Sequence, residues 1–313
     1  MKALVVGGAG FIGSHLCDAL LEMGDQVVCL DNFSLGTDRN IEHLKDNENF
    51  ILYKADAADE AVLSRIFERE KPEYVYHLAA NSDIQASASD PQVEYRNTYS
   101  TTFQLLAVMR KYAVKRMFFA STSAVYGDKR EEILDENTPG LAPISYYGAA
   151  KLGSEALLSA FSYMNDMKVL IFRFPNVIGP RLTHGVIFDF IKKLKADPGR
   201  LQILGDGRQT KPYIYVKDLI EAIMAFREVS DTGVTLYNVG VEGASSVTAI
   251  ADIICGEMGL SGVEYDYTGG EGGWKGDVPR FQYCLDKIHK AGWAAKYSSD
   301  QAVRETVRCN IKN

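Results

Sequence analysis

Three groups of side chains in this 313-residue sequence have the types and spacing that chemistry requires. Tyr147 and Lys151 stand four residues apart in Tyr147-Gly148-Ala149-Ala150-Lys151. On a helix this spacing sets a phenol and an ammonium on one face, one turn apart. A nearby cation favours the phenolate, so the pair predicts a tyrosine whose proton affinity is lowered by Lys151 and which acts as a base near neutral pH. Ser121-Thr122-Ser123 follows a predicted strand, Met117–Ala120. Hydroxyls at the carboxyl end of such a strand face the crevice where an α/β sheet binds its ligand. The third group, Gly7-Gly8-Ala9-Gly10-Phe11-Ile12-Gly13, reads as G-x-x-G-x-x-G or as G-x-G-x-x-G. Glycines there permit a tight turn and close approach to a pyrophosphate, whose charge the following helix N-terminus stabilises. Tyr-x-x-x-Lys alone occurs on many solvated helix faces, and Ser/Thr clusters also make ordinary turns. The conjunction with the glycine turn is what turns the reading toward chemistry.

The elements that must position these groups follow from periodicity. Apolar runs at Ala3–Val6, Gln26–Leu30, Phe50–Tyr53, Tyr74–His77, Met117–Ala120 and Val169–Phe174 alternate with helical patterns at Ile12–Met23, Ala61–Glu70, Ser100–Tyr112 and Tyr147–Asn165. Strands buried on both faces and joined by crossover helices predict a doubly wound parallel α/β sheet, a Rossmann-type fold. After Phe174 the strands shorten (Gln202–Leu204, Tyr213–Val216, Leu236–Val239) and glycine becomes more frequent, with helices near Phe188–Leu194, Leu219–Arg227 and Val247–Met258. The expected organisation is a dinucleotide-binding domain over 1–174, carrying the Tyr/Lys helix, and a smaller α/β substrate lobe over 175–313. The second strand ends at Asp31, placed to accept hydrogen bonds from ribose hydroxyls and to repel a 2′-phosphate, which favours NAD over NADP.

Composition sets other classes aside. A formal charge of −7 with no Lys/Arg-dense block argues against a nucleic-acid binder. No apolar run approaches the ~20 residues that cross a bilayer, so no membrane role is expected. Cys17, Cys29, Cys255, Cys284 and Cys309 are too scattered for a disulfide framework or a C-x-x-C motif, and no His/Cys cluster has metal-ligand spacing. Acids Asp18 and Glu22 soon after the broken apolar start argue against a signal peptide, which makes the cytoplasm the expected location. Walker and G-x-S-x-G motifs are lacking.

The chain resembles the extended short-chain dehydrogenase/reductases of the nucleotide-sugar epimerase/dehydratase kind. The marks are the Gly7/Gly10/Gly13 turn, Asp31-Asn32, Asp56, His77-Leu78-Ala79-Ala80, Asn97, the Thr122 segment, Tyr147/Lys151, Asn176-Val177-Ile178-Gly179-Pro180-Arg181, Gly205-Asp206-Gly207, Gly276-Asp277-Val278-Pro279-Arg280 and Gly292-Trp293. The resemblance implies that Tyr147 takes the proton from the sugar O4 hydroxyl, that Lys151 supports it, and that Thr122 orients that hydroxyl. Hydride passes from C4 to NAD, the 4-keto sugar turns, and hydride returns to its other face. It also implies an NAD site built from Gly7, Gly10, Phe11, Ile12, Gly13, Asp31, Asn32, Asp56, Ala57, Leu78, Ala79, Ala80, Asn97, Ser121, Tyr147, Lys151 and Phe174. The substrate would be held by Thr122, Ser123, Tyr147, Asn176, Lys211 and Arg280, and two chains would pair through helices Ser100–Tyr112 and Tyr147–Asn165 as a homodimer.

Within that resemblance, the residues after Thr122 select the branch. Dehydratases of this kind carry Asp-Glu there to expel the C6 hydroxyl; Ser123 and Ala124 can do neither step. A 4-epimerase of nucleotide sugars is therefore expected, with UDP-glucose and UDP-galactose as the leading pair; the alternatives are another nucleotide sugar, a related short-chain dehydrogenase reaction, or a non-enzymatic dinucleotide-sensing protein on the same fold. Asn176, where uronate epimerases often have Thr, leans toward a neutral hexose, and Phe281 would crowd an N-acetyl group. The usual diphosphate arginines are replaced by Lys211 and by Trp274-Lys275, with Arg181 or Arg280 available to compensate. Several residues have plainer readings. His77 is expected to be a packed strand residue, His184 a loop residue, Tyr95 and Tyr99 packing groups, and Lys192, Lys193 and Lys195 a solvated face.

Overall fold

Short runs rich in Val, Leu, Tyr and Phe fold as strands because both faces find apolar cover. In the computed structural model, which describes residues 1–81, 84–130, 132–228, 233–270 and 276–311, they assemble into one seven-stranded parallel sheet. Its strands are β1 (Lys2–Val6), β2 (Gln26–Asp31), β3 (Phe50–Lys54), β4 (Tyr74–His77), β5 (Arg116–Thr122), β6 (Lys168–Phe174) and β7 (Val234–Asn238). The order across the sheet is β7-β6-β5-β4-β1-β2-β3. The register runs Val6 opposite Leu30 and His77, and His77 opposite Phe119. Chain order reverses between β1 and β4, which is where a doubly wound sheet opens its ligand crevice.

The chain divides into two units. The first comprises Met1–Val125, Ser145–Arg173 and Ala222–Tyr237; the second comprises Tyr126–Ile144, Phe174–Glu221 and Asn238–Asn313. Two stretches therefore cross the line drawn at residue 174. The strand expected at Leu236–Val239 in the smaller lobe runs instead over Val234–Asn238 as an edge of the large sheet, beside β6. Its Leu236 packs on the same core as Val169 and Ile171, so apolar burial and not sequence distance decides its place.

Four helices matter for the site in the first unit: α1 (Phe11–Glu22), α2 (Glu60–Glu70), α3 (Thr101–Lys111) and α4 (Tyr146–Asn165). Leu63, Ile66 and Phe67 of α2, with Leu105, Leu106 and Met109 of α3 and Leu158 of α4, join Val6, Leu30, Val75 and Phe119 in one buried core. Helix α4 starts on Ser145, whose hydroxyl accepts the Gly148 amide at 3.1 Å, and stops at Asp166 in left-handed conformation. The helix expected at Ser100–Tyr112 is preceded by Gln92–Glu94 and a π-turn over Tyr95–Ser100.

In the second unit, strand pairs replace the large sheet. Asn176–Ile178 lies parallel to Tyr213–Tyr215, and Arg200–Ile203 parallel to Glu264–Tyr267. Helices Val186–Ala196, Val247–Glu257 and Ser299–Asn310 cover them through Ile187, Leu194, Ile250, Ile254, Val303 and Val307. Among the described residues no helix is long and apolar enough to cross a membrane, and no cluster of His, Cys, Asp or Glu could hold a metal ion.

Candidate active site

Gly7 leaves β1 with φ +86°, and a Cβ added there would meet the Ala79 amide at 2.7 Å. At Gly13 it would meet the Gly7 carbonyl oxygen at 2.1 Å, so the turn and α1 touch backbone to backbone. Helix α1 has Gly10 at its N-cap with no side-chain cap and no acid in its first turn. Its first amides are thus left for an anion, which is the fit a pyrophosphate requires. Leu78 and Ala79, just beyond β4, both donate their amides to the Val6 carbonyl at 2.9 Å, which fixes this wall beside the glycine turn.

Asp31 ends β2 and is buried. Its Oδ2 accepts the Ala9 amide at 2.9 Å and its Oδ1 the Phe33 amide at 2.8 Å. Burial pushes its carboxyl up from the usual range, and these backbone amides, with that of Gly10, draw it back down. Asp31 thereby ties the loop after β2 to the glycine turn, and Asn40 adds a bond from its Nδ2 to the Ala9 carbonyl at 2.9 Å. Asp56 is exposed just past the end of β3, while Ala57 faces the core. Asn32 is exposed, Phe11, Ile12, Ala80 and Asn97 are half-buried, and Asn97 lies within the π-turn.

Thr122 ends β5. Its Oγ1 accepts the Ala124 amide at 3.1 Å, which fixes the hydroxyl, and it hydrogen-bonds the Tyr147 phenol. Lys151 is 1% exposed; its Nζ donates to the Ala120 carbonyl at 2.8 Å, 4.6 Å from the Phe119 ring centroid and 5.9 Å from that of Tyr147. Burial brings the ammonium down to about 7, opposed by Glu94 and Glu155. Lys151 makes no hydrogen bond to the phenol oxygen, its Nζ donating to the Ala120 carbonyl. Burial and then Glu94 push the Tyr147 phenol up, and the group that lowers it is the Thr122 hydroxyl.

Behind Lys151 lies a layer that pattern reading missed. Glu155, two turns beyond Tyr147 on the same face of α4, accepts Arg173 Nε at 3.0 Å and Nη2 at 2.6 Å, and also the Ser121 hydroxyl. Ser121 is therefore committed to this network. Extending the i, i+4 spacing by one more step would have found Glu155. His77 is wholly buried, with Nε2 3.0 Å from Thr102 Oγ1, and burial with the Lys151 charge lowers it to about 3. It is a packed neutral residue, as its strand position implied.

The substrate candidates of the second unit are less convergent. Asn176 is exposed and bonds the buried Tyr213 phenol. Lys211 is paired with Asp277, and Arg280 is exposed beside Thr210. Ser123, in the first unit, opens the short turn after β5. Phe281 packs on Tyr283 at 5.4 Å, and His184 sits exposed beside Thr183. Trp274 and Lys275 lie outside the described residues.

With this geometry in hand, the likeness to known proteins is specific. Residues 3–240 match the model of the NAD-dependent epimerase/dehydratase family. A UDP-glucose 4-epimerase of Mycolicibacterium smegmatis is 32% identical over 265 residues, 83% of each chain. Among solved structures, a UDP-glucose 4-epimerase of Thermotoga maritima with UDP-glucose superposes with TM-score 0.89 and 31% identity, over 100% of this chain and 99% of that one. A UDP-glucuronic acid 4-epimerase of Bacillus cereus with UDP-glucuronic acid and NAD gives TM-score 0.89 at 28% identity, over 100% and 99%. The chain belongs to the NAD-dependent epimerase/dehydratase family, as an isomerase that works with NAD.

Proposed function

We propose that the chain interconverts UDP-glucose and UDP-galactose by epimerisation at C4. The observation that carries this reading is the Tyr147 phenol bonded to Thr122, with Lys151 one turn on and the non-acidic Ser123 and Ala124 following Thr122. Thr122, its oxygen fixed by the Ala124 amide, holds the sugar O4 hydroxyl against the phenol. Tyr147 takes the O4 proton as C4 is oxidised and returns it once the ring has turned. Lys151 keeps a positive charge below that transfer, anchored by the Ala120 carbonyl. Bound NAD supplies a reversible hydride acceptor for C4 and is not consumed. The glycine turn and the amides opening α1 would hold its pyrophosphate, Asp31 the adenosine ribose, and Leu78, Ala79, Ala80 and Asn97 the groove wall. Neither Ser123 nor Ala124 can abstract a C5 proton or expel a C6 hydroxyl, which supports epimerisation over dehydration.

A roster of relatives that includes uronate and hexose enzymes supports other nucleotide sugars as the second reading. Asn176, Lys211 and Arg280 are assigned to the diphosphate within the same proposal. The homodimer belongs to it as well: Phe103 of α3 and Tyr163 and Met164 of α4 leave apolar surface exposed. Proton NMR of the purified protein with UDP-galactose and no added cofactor tests the reading. A steady mixture with UDP-glucose is expected. Turnover of UDP-glucuronate but not of UDP-galactose would move the assignment to the second reading.

A further inference from the structure

Glu94 is a buried carboxylate that the proposed mechanism does not use. It is 1% exposed, at the last residue before the π-turn. Its Oε1 accepts Asn81 Nδ2 at 2.8 Å and its Oε2 the Thr98 hydroxyl at 2.8 Å, so both oxygens are held by neutral donors. Asn81 also donates its own amide to Thr98 Oγ1 at 3.3 Å, which closes the clamp. Among the described residues no Lys or Arg forms an ion pair with Glu94. Leaving a charge buried with only neutral bonds is costly unless an opposite charge acts on it through the interior.

Lys151 presents the complementary case, a buried ammonium bonded to one carbonyl. Among the described residues, the other charges that face it are already compensated. Glu155, on its own helix, is neutralised by Arg173 of β6 through two bonds. His77 of β4 is held neutral, and β5 offers the Ala120 carbonyl and the Phe119 ring, neither of which carries a charge. Among these described groups, the segment ending at Glu94 therefore supplies the negative charge that no ion pair compensates. The π-turn packs on α4, and the Tyr99 ring lies against Gly153, where an added Cβ would stand 3.0 Å from it. The segment Gln92–Glu94 itself packs on α4 as well, which sets Glu94 against the helix that carries Tyr147 and Lys151.

We propose that Glu94 is a positioning residue of this epimerisation, a clamped counter-charge that sets the charge state of the Lys151–Tyr147 pair. The proposal rests on the catalytic reading given above. Its electrostatic consequence has a definite sign. Glu94 raises both the Lys151 ammonium and the Tyr147 phenol, so it keeps the lysine charged against burial and restrains the phenol from ionising early. Removing the charge must lower both.

The test is Glu94→Gln, read in two ways. In the pH profile of kcat/KM, both the acid and the alkaline limb are expected to move to lower pH, by about one unit. A merely structural role would lower kcat and leave the limbs where they stand in the parent. The second readout needs no substrate. In protein labelled with 13Cε-lysine, Lys151, assigned by its loss in Lys151→Met, is expected to titrate at lower pH in the Glu94→Gln protein than in the parent. Glu94→Asp, which keeps the charge, is expected to keep the parent's limbs. Should Glu94→Gln not fold, Thr98→Ala frees the carboxylate from its clamp and is expected to give a smaller shift in the same direction. An unmoved Lys151 titration overturns the proposal. A parent inactive on every nucleotide sugar, with the Lys151 titration still moved, would instead overturn the catalytic reading alone.

Discussion

Two lysines, one in each unit, show how differently a protein can hold the same charge. Lys151 in the first unit is buried, and that burial brings its ammonium down to about 7 although a carbonyl accepts from it and an aromatic ring flanks it. Lys211 in the second unit is partly exposed and closed on the Asp277 carboxylate. The first environment makes a charge that responds to its surroundings, which suits a group supporting proton transfer. The second makes a charge already satisfied, which must exchange partners before it can bind an anion. The same contrast runs through the architecture. The first unit gathers its strands into one seven-stranded sheet, while the second has separate strand pairs.

The comparison breaks first at Tyr147. Tyr147→Phe removes the phenol and leaves Lys151 and the glycine turn in place. Turnover should fall about 10²–10⁴-fold with bound NAD retained, measured by NMR turnover and by cofactor content. A variant that turned over at the parent rate would show that the first unit's lysine and phenol are only packing. The next effect is on stability. Arg173→Met leaves Glu155 charged and buried without its bidentate partner, and should cost about 3–5 kcal/mol in denaturant unfolding. A small loss would mean that the layer behind Lys151 is not electrostatically committed.

A third effect is set by His77, whose ring sits close enough to Lys151 to be acted on by it. Its folded value of about 3 lies below the ordinary 6.5, so between these pH values the unfolded chain binds a proton that the native one refuses. Stability must therefore fall as pH drops through this window, by about 2 kcal/mol from pH 6.5 to 5 for this group alone. His77→Gln should remove that part of the acid sensitivity, which thermal melts at pH 7 and pH 5 will show as a smaller gap than in the parent.

What could be read beforehand divides along the same line. The inner strands of the large sheet were legible to within two residues because each is an apolar run with cover on both faces, and the glycine turn because its contacts are made by backbone. Tyr147 and Lys151 were legible through helical spacing. Val234–Asn238 was not placed in the large sheet, because a strand far along the chain carries no local mark of the sheet edge it completes. Glu94 was invisible for a different reason. The π-turn after it breaks the 3.6-residue period, and a lone Glu in Pro91-Gln92-Val93-Glu94-Tyr95 reads as a solvated helix start until Asn81 and Thr98 close on it. The charge logic of a site is set by which groups burial brings together, and that is a tertiary fact.

The smallest effect bears on the second lysine. If Lys211 grips a substrate diphosphate, then Asp277 competes with the substrate for the same ammonium. Asp277→Asn should lower KM for the nucleotide sugar by a few-fold with kcat unchanged, because the charge no longer has to leave a carboxylate. Lys211→Ala should raise KM by about tenfold, also with little change in kcat, since the lost interaction is the same in ground and transition states. Opposite movements of KM in the two variants would mark Lys211 as an anion ligand held in reserve. If both variants instead lower the melting temperature and leave KM alone, the pair is a strut between the strand Thr210–Lys211 and the Gly276-Asp277 turn. The contrast with Lys151 would then be one between a working charge and a purely structural one.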